Sequence, residues 1–205
     1  MLRTADGDPA SRQKAVREQI LAGNVPAFLR TLVPIHLQHR KVGEATIWVT
    51  ADVLAVGSDT DHVRSPLGGP EAVTLARALN CWLPTPRIVD AIYAQAKEKL
   101  PPIPMRPTAQ MTGNQYFIEH HRLIETQRGS GASTRKLTAG HKKDVVLSPR
   151  LGQLPGRVAI YGWHKRDGSP IQPLSTVHSA HYADYSHGIR LVWGQVDVNG
   201  QMLPF

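Results

Sequence analysis

The sequence predicts an α+β fold: N-terminal helices, then a mainly antiparallel sheet with helices packed on one face. Three observations carry this. Runs of period two, such as Ile35–His39 and Ala45–Val49, alternate along the chain with stretches of helical period, such as Asn114–Arg128. The 205 residues include 17 glycines and 16 prolines, too much punctuation for a helical bundle. The hydrophobic share, 41%, is still large enough to fill a core.

The length suits a single domain over residues 1–205. Within it the pattern marks an N-terminal helical segment (1–32), a strand-helix half (33–100), a linker and helix (101–136) and a strand-rich half (137–205).

Asp8-Pro9 supplies a capping acid and a first-turn proline, and Ala15, Val16, Gln19 and Ile20 make a stripe that Gly23-Asn24 ends. A second short turn, Pro26–Leu32, carries Phe28, Leu29 and Leu32. Ile35–His39 and Ala45–Val49 alternate as half-buried strands around a turn at Lys41–Glu44. Val53–Val56 and His62–Arg64 read as two more strands around the polar turn Gly57–Asp61. His36, His39 and His62 fall on what the alternation makes solvated faces.

Gly69-Pro70 starts a helix through Leu79, stopped at Asn80. Cys81–Pro84 is a tight link before the next start, Thr85-Pro86, with Ile88, Ile92 and Ala96 on one face. Leu100–Pro107 holds four prolines and is a rigid crossing segment. The helix at Asn114–Arg128 places one of His120 and His121 inward and the other outward. Gly129–Thr134 is a Gly/Ser loop. Strands follow at Asp144–Leu147, Arg157–Trp163, Ile171–Leu174 and Gly188–Val198. Lys165–Gly168 makes a hairpin turn, Pro173 implies an edge or bulge, and Asn199-Gly200 is a type I′ signal before Gln201–Phe205.

The net charge of +8 favours acidic partners, but the cations are dispersed in pairs such as Lys142-Lys143 and Lys165-Arg166. No basic arm or zinc-finger pattern is present, so a nucleic-acid partner is not expected. No apolar stretch approaches the roughly 20 residues of a membrane span. The opening ten residues are polar and lack the apolar segment of a signal peptide, so a soluble chain is expected, with a trimmed exported protein compatible. One cysteine excludes an intrachain disulfide.

Chemistry-bearing residues concentrate in His178–His187, with three histidines, two tyrosines, an aspartate and two serines ahead of the apolar run Ile189–Trp193. Cys81, ahead of a helix start, is the candidate nucleophile, because a helix N-terminus or an imidazolium lowers a thiol's pKa. His187 is the candidate base, Asp184 its orienting acid, and His141 and His178 line the same cleft. A rival reading takes His178, His181 and His187 as three ligands of a zinc ion with one position open to water. A third is a non-catalytic module binding an acidic polymer through scattered cations and exposed aromatics.

Leu137–Gly140, Asp144–Leu147 and Val158–Gly162 together resemble the strand layout of NlpC-type cell-wall cysteine peptidases, which are papain-like. About 25 residues carry the resemblance. This chain has Asn80-Cys81-Trp82 where that family has Asp-Cys-Ser, and Arg157 where the family's histidine stands. The resemblance implies hydrolysis of an amide bond, in a wall peptide, through a Cys-His site without a cofactor. The expected activity is therefore a hydrolase cleaving an amide or ester bond of a peptide-like or ester substrate, small or polymeric, with a zinc hydrolase as the alternative.

Overall fold

The computed structural model describes residues 8–129 and 136–205. The first seven residues and most of the Gly/Ser stretch at 129–134 lie outside the described residues. The helices are α1 (Pro9–Leu21), α2 (Gly69–Ala78), α3 (Pro86–Gln95) and α4 (Asn114–Arg128). The strands of the first half are β1 (Leu32–His39), β2 (Gly43–Thr50), β3 (Ala55–Gly57), β4 (His62–Arg64), β5 (Cys81–Trp82) and β6 (Glu98–Lys99). Those of the second half are β7 (Thr138–Ala139), β8 (Lys143–Val145), β9 (Ile160–His164), β10 (Pro170–Ser175), β11 (His187–Gly188), β12 (Val192–Val198) and β13 (Gln201–Pro204). The fold is α+β, with mainly antiparallel pairing.

Two sheets dominate. The first runs β1-β2-β12-β13, and β5 joins the same edge of β12 beside Val192 and Trp193. The second runs β10-β9-β8-β11, closed by a parallel β8–β11 pair that sets His187 opposite Lys143. β3–β4 and the parallel β6–β7 are small additions.

Local chemistry accounts for the element ends. The Asp8 carboxylate accepts from Ser11 N at 3.0 Å and caps α1, with Pro9 in the first turn. Thr85 Oγ1 accepts from Ile88 N and caps α3. Asn199 and Gly200 both take positive φ, +52° and +85°, as the type I′ turn between β12 and β13 requires. The register of β9–β10 slips between Gln172 and Ser175, across Pro173, which has no N–H to give to the ladder.

The core lies around these sheets. Val16, Ile20, Phe28, Leu29, Leu75 and Leu83 pack with Val145, Ile160, Ile189 and Leu191. α3 contacts both β1 and β9, so its Ile88, Ile92 and Tyr93 fill against Ile35, Ile47 and Val192 while Val89 meets Val146 and Ala159. Among the described residues no helix is long and apolar enough to cross a membrane.

Four expectations need correction. The run Gly188–Val198 is not one strand: β11 belongs to the second sheet, β12 to the first, and Ile189–Leu191 carries the chain across. The crossing is held by Leu54 N to Ile189 O and Thr50 N to Leu191 O. Cys81 lies in a strand rather than a loop, paired with Trp193. His62 is buried, not solvated, because β3–β4 folds under α4 and puts the ring against His121 and Phe28. The expected strand from Arg157 begins only at Ile160, with Arg157 making a single bridge to Ser179.

Candidate functional site

The histidine-rich loop is fixed by its neighbours. Val158 N donates to His178 O, Ala180 N to Gly156 O, and Gly69 N to Ala180 O. The last contact needs a bare backbone on the α2 side: a Cβ on Gly68 would stand 2.8 Å from Ala180 O and 2.9 Å from His181 Cα. Gln13, buried on α1, clamps both partners, donating to His181 O at 2.9 Å and accepting from Gly68 N at 2.6 Å.

So held, the loop stacks the ring of His178 on Tyr182, with centroids 4.2 Å apart. The ring of His187 lies 6.1 Å from His178 and 5.7 Å from Tyr182. His178 and Tyr182 are partly exposed, and His187 behind them is 1% exposed. Neither ring nitrogen of His187 has a hydrogen-bond partner among the described residues. Burial pushes His187 down to about 4, against the pull of Asp184, so the ring is neutral at pH 7.

Asp184 is buried and does not bond the imidazole it was expected to orient. Its Oδ2 accepts from Tyr182 Oη at 3.1 Å, and its Oδ1 from Ser186 N at 2.8 Å and Ser186 Oγ at 2.5 Å. Burial opposes its ionisation, but the His187 ring, the Ser186 bonds and Lys143 hold its carboxyl below the usual range. Tyr182 is raised to about 12, by burial first and Asp184 second. Lys143, opposite His187 on β8, places its ammonium 4.9 Å over the Trp163 ring.

The other expected residues lie elsewhere. Cys81 shares a cavity of about 230 Å³ with Val73, Ala76, Arg77, Trp82, Leu83 and Leu147, among others, and no histidine or acid lines it. Its thiol donates to Leu79 O at 3.4 Å, and burial raises it to about 11. His141 is buried in a charge network instead: its Nε2 is 2.9 Å from Asp52 Oδ1, and Asp52 also takes Arg64 Nη2 at 2.6 Å and Nε at 3.1 Å. Burial brings His141 to about 4. His181 is exposed. The structure does not bring His178, His181 and His187 together as a three-donor set: the described residues whose donors come within 4.8 Å of one another are His62, His121 and Glu125.

The sequence reading did not place the Tyr182 hydroxyl on Asp184 or Lys143 opposite His187. The H-Y-x-D spacing of the loop was the available signal for the first. The parallel β8–β11 register, which sets the second, leaves no local trace. The fold and site thus define an α+β protein with a histidine–tyrosine–aspartate cluster held by a glycine-seated loop. No protein-family model, curated protein or solved structure matches this chain.

Proposed function

We propose that the protein is a hydrolase of an amide or ester bond whose working residues are His178, Tyr182, Asp184 and His187, with Lys143 beside them. One observation carries the reading: His187 is buried and neutral, with both ring nitrogens unbonded. A buried, unsatisfied polar group costs about 1–3 kcal/mol, which a purely structural histidine recovers by bonding a neighbour. A neutral imidazole kept free of partners is suited to accept a proton from an attacking water. The Tyr182 hydroxyl, bonded to Asp184, fixes that wall of the site, and the Lys143 ammonium favours negative charge developing on a carbonyl oxygen.

The same chemistry moves the proposal away from Cys81. With its pKa near 11, on the order of one thiol in ten thousand is ionised at pH 7, and the lining of its cavity offers no base. The test is turnover of a panel of chromogenic esters and short peptide amides, including wall-type peptides. His187→Gln is expected to lose at least a hundredfold in kcat/KM, His178→Gln less, and Cys81→Ser nothing. Full activity in His187→Gln, or loss with Cys81→Ser and with iodoacetamide, would return the nucleophile to the thiol.

A further inference from the structure

A second grouping stands apart from the site above. His121 and Glu125 lie one helical turn apart on α4, where residues i and i+4 share a face. His62 comes to them from β4, its ring edge-on to His121 with centroids 4.9 Å apart. One donor atom from each of the three lies within 4.8 Å of the other two.

Three details make this a built site. His62 Nδ1 lies 3.1 Å from Ser58 O. A carbonyl only accepts, so Nδ1 carries the hydrogen and Nε2 presents a lone pair. That is the arrangement by which a backbone carbonyl fixes a metal-ligating histidine. His62 Nε2 is buried and without a partner among the described residues, in a residue only 8% exposed. The other two donors already hold a cationic group: Arg64 Nη1 donates to Glu125 Oε1 at 2.6 Å and to His121 Nδ1 at 3.0 Å. Arg64 also holds Asp52 through Nε and Nη2, and its guanidinium is one rigid plane, so admitting an ion requires that whole group to shift along Asp52. Arg128 Nη1, 3.6 Å from Glu125, is the other cation near the carboxylate.

We infer that His62, His121 and Glu125 bind one divalent transition-metal ion of the zinc class, its remaining coordination position facing the adjoining cavity of about 540 Å³. Two imidazoles and a carboxylate suit zinc, and three protein ligands with a position open to a cavity are the pattern of catalytic rather than structural zinc. Asp61 and Gln115 line the same cavity. The inference is independent of the reading of His187.

The test uses the full chain, treated with chelator, dialysed, and titrated with Zn²⁺ by calorimetry and with Co²⁺ by visible absorption. The wild type is expected to take one ion, with a Co²⁺ d–d band of low-coordinate type. Glu125→Gln, an isosteric change, is expected to weaken binding at least tenfold. His62→Ala and His121→Ala, checked for folding by circular dichroism, are expected to weaken it further. The double variant His178→Gln, His187→Gln is expected to bind as the wild type does. The inference is overturned if the wild type takes no ion, if Glu125→Gln and His62→Ala keep wild-type affinity, or if the His178/His187 variant is the one that loses it.

Discussion

Lys142 gives the sharpest quantitative test of the interior. Its side chain is 3% exposed, and Nζ donates to Tyr185 O and lies 2.9 Å from His120 Nδ1. Burial lowers the ammonium to about 7, repulsion from Arg64 adds to this, and Asp184 and Asp52 oppose it. Between pH 7 and the ordinary lysine value the unfolded chain therefore holds a proton that the folded chain has released. Stability must rise with pH across that window, at up to about 1.4 kcal/mol per pH unit for one proton. Below pH 7 both states hold the proton and the cost of the buried charge is at its full size. Lys142→Met keeps length and apolar bulk and removes the titration. Urea unfolding followed by tryptophan fluorescence, at steps from pH 6.5 to 9.5, yields the stability of both chains. The wild-type minus Lys142→Met difference is expected to climb by about 3 kcal/mol over this range, other titrating groups cancelling because both chains share them. Near pH 7 the variant is expected to match or exceed the wild type, since removing a buried charge and its desolvation together is often neutral or better. A flat difference would refute the argument.

Asp52→Asn removes the charge that Arg64 and His141 face in the interior, and is expected to cost about 3–5 kcal/mol in chemical denaturation. Gly68→Ala drives a Cβ into the backbone of Ala180 and His181, so a loss of about 1–3 kcal/mol is expected, along with reduced turnover as the His178–Tyr182 stack shifts. Tyr182→Phe removes the hydroxyl from Asp184; melting should change by about 1 kcal/mol while kcat falls at least tenfold, and an unchanged kcat would remove Tyr182 from the working set. Ile47→Ala, fully buried between β1 and β12, is expected to lower stability by about 2–5 kcal/mol in the same melts.

What could be read from the sequence was local. The β1–β2 and β9–β10 hairpins, the Asn199-Gly200 turn and the bounds of α4 rest on periodicity, caps and turn residues within a few positions of one another. The crossing at Ile189–Leu191 left no such mark, because an apolar run looks the same whether it stays in one sheet or passes between two. Cys81 was misplaced for a related reason: two residues are too few to show a period, and β5 exists only because β12 has a free edge beside it. Of the expected site, His178, Asp184 and His187 do gather, since one short loop carries them. Their partners in space, Lys143 and the seat at Gly68, come from elsewhere in the chain. His121 and Glu125 had a readable i, i+4 spacing, but the third donor, His62, lies on a strand nearly sixty residues earlier. The buried Asp52–Arg64–His141 network was invisible because its members come from separate segments that only the fold brings together.

The central place of β12 has a consequence for biosynthesis. β2 is hydrogen-bonded on one side by its near neighbour β1 and on the other by β12, with Val49 paired to Val192. During synthesis at about 5–20 residues per second, β2 is complete many seconds before its second partner is translated. Until then the β1–β2 hairpin, whose apolar face bears Ile35, Ile47 and Val49, carries an open edge on β2. The nascent chain must keep that edge from pairing with another copy during this interval, so chaperone demand and misassembly during expression should centre on this hairpin, and a Lys substitution on the exposed side of β1 should ease both.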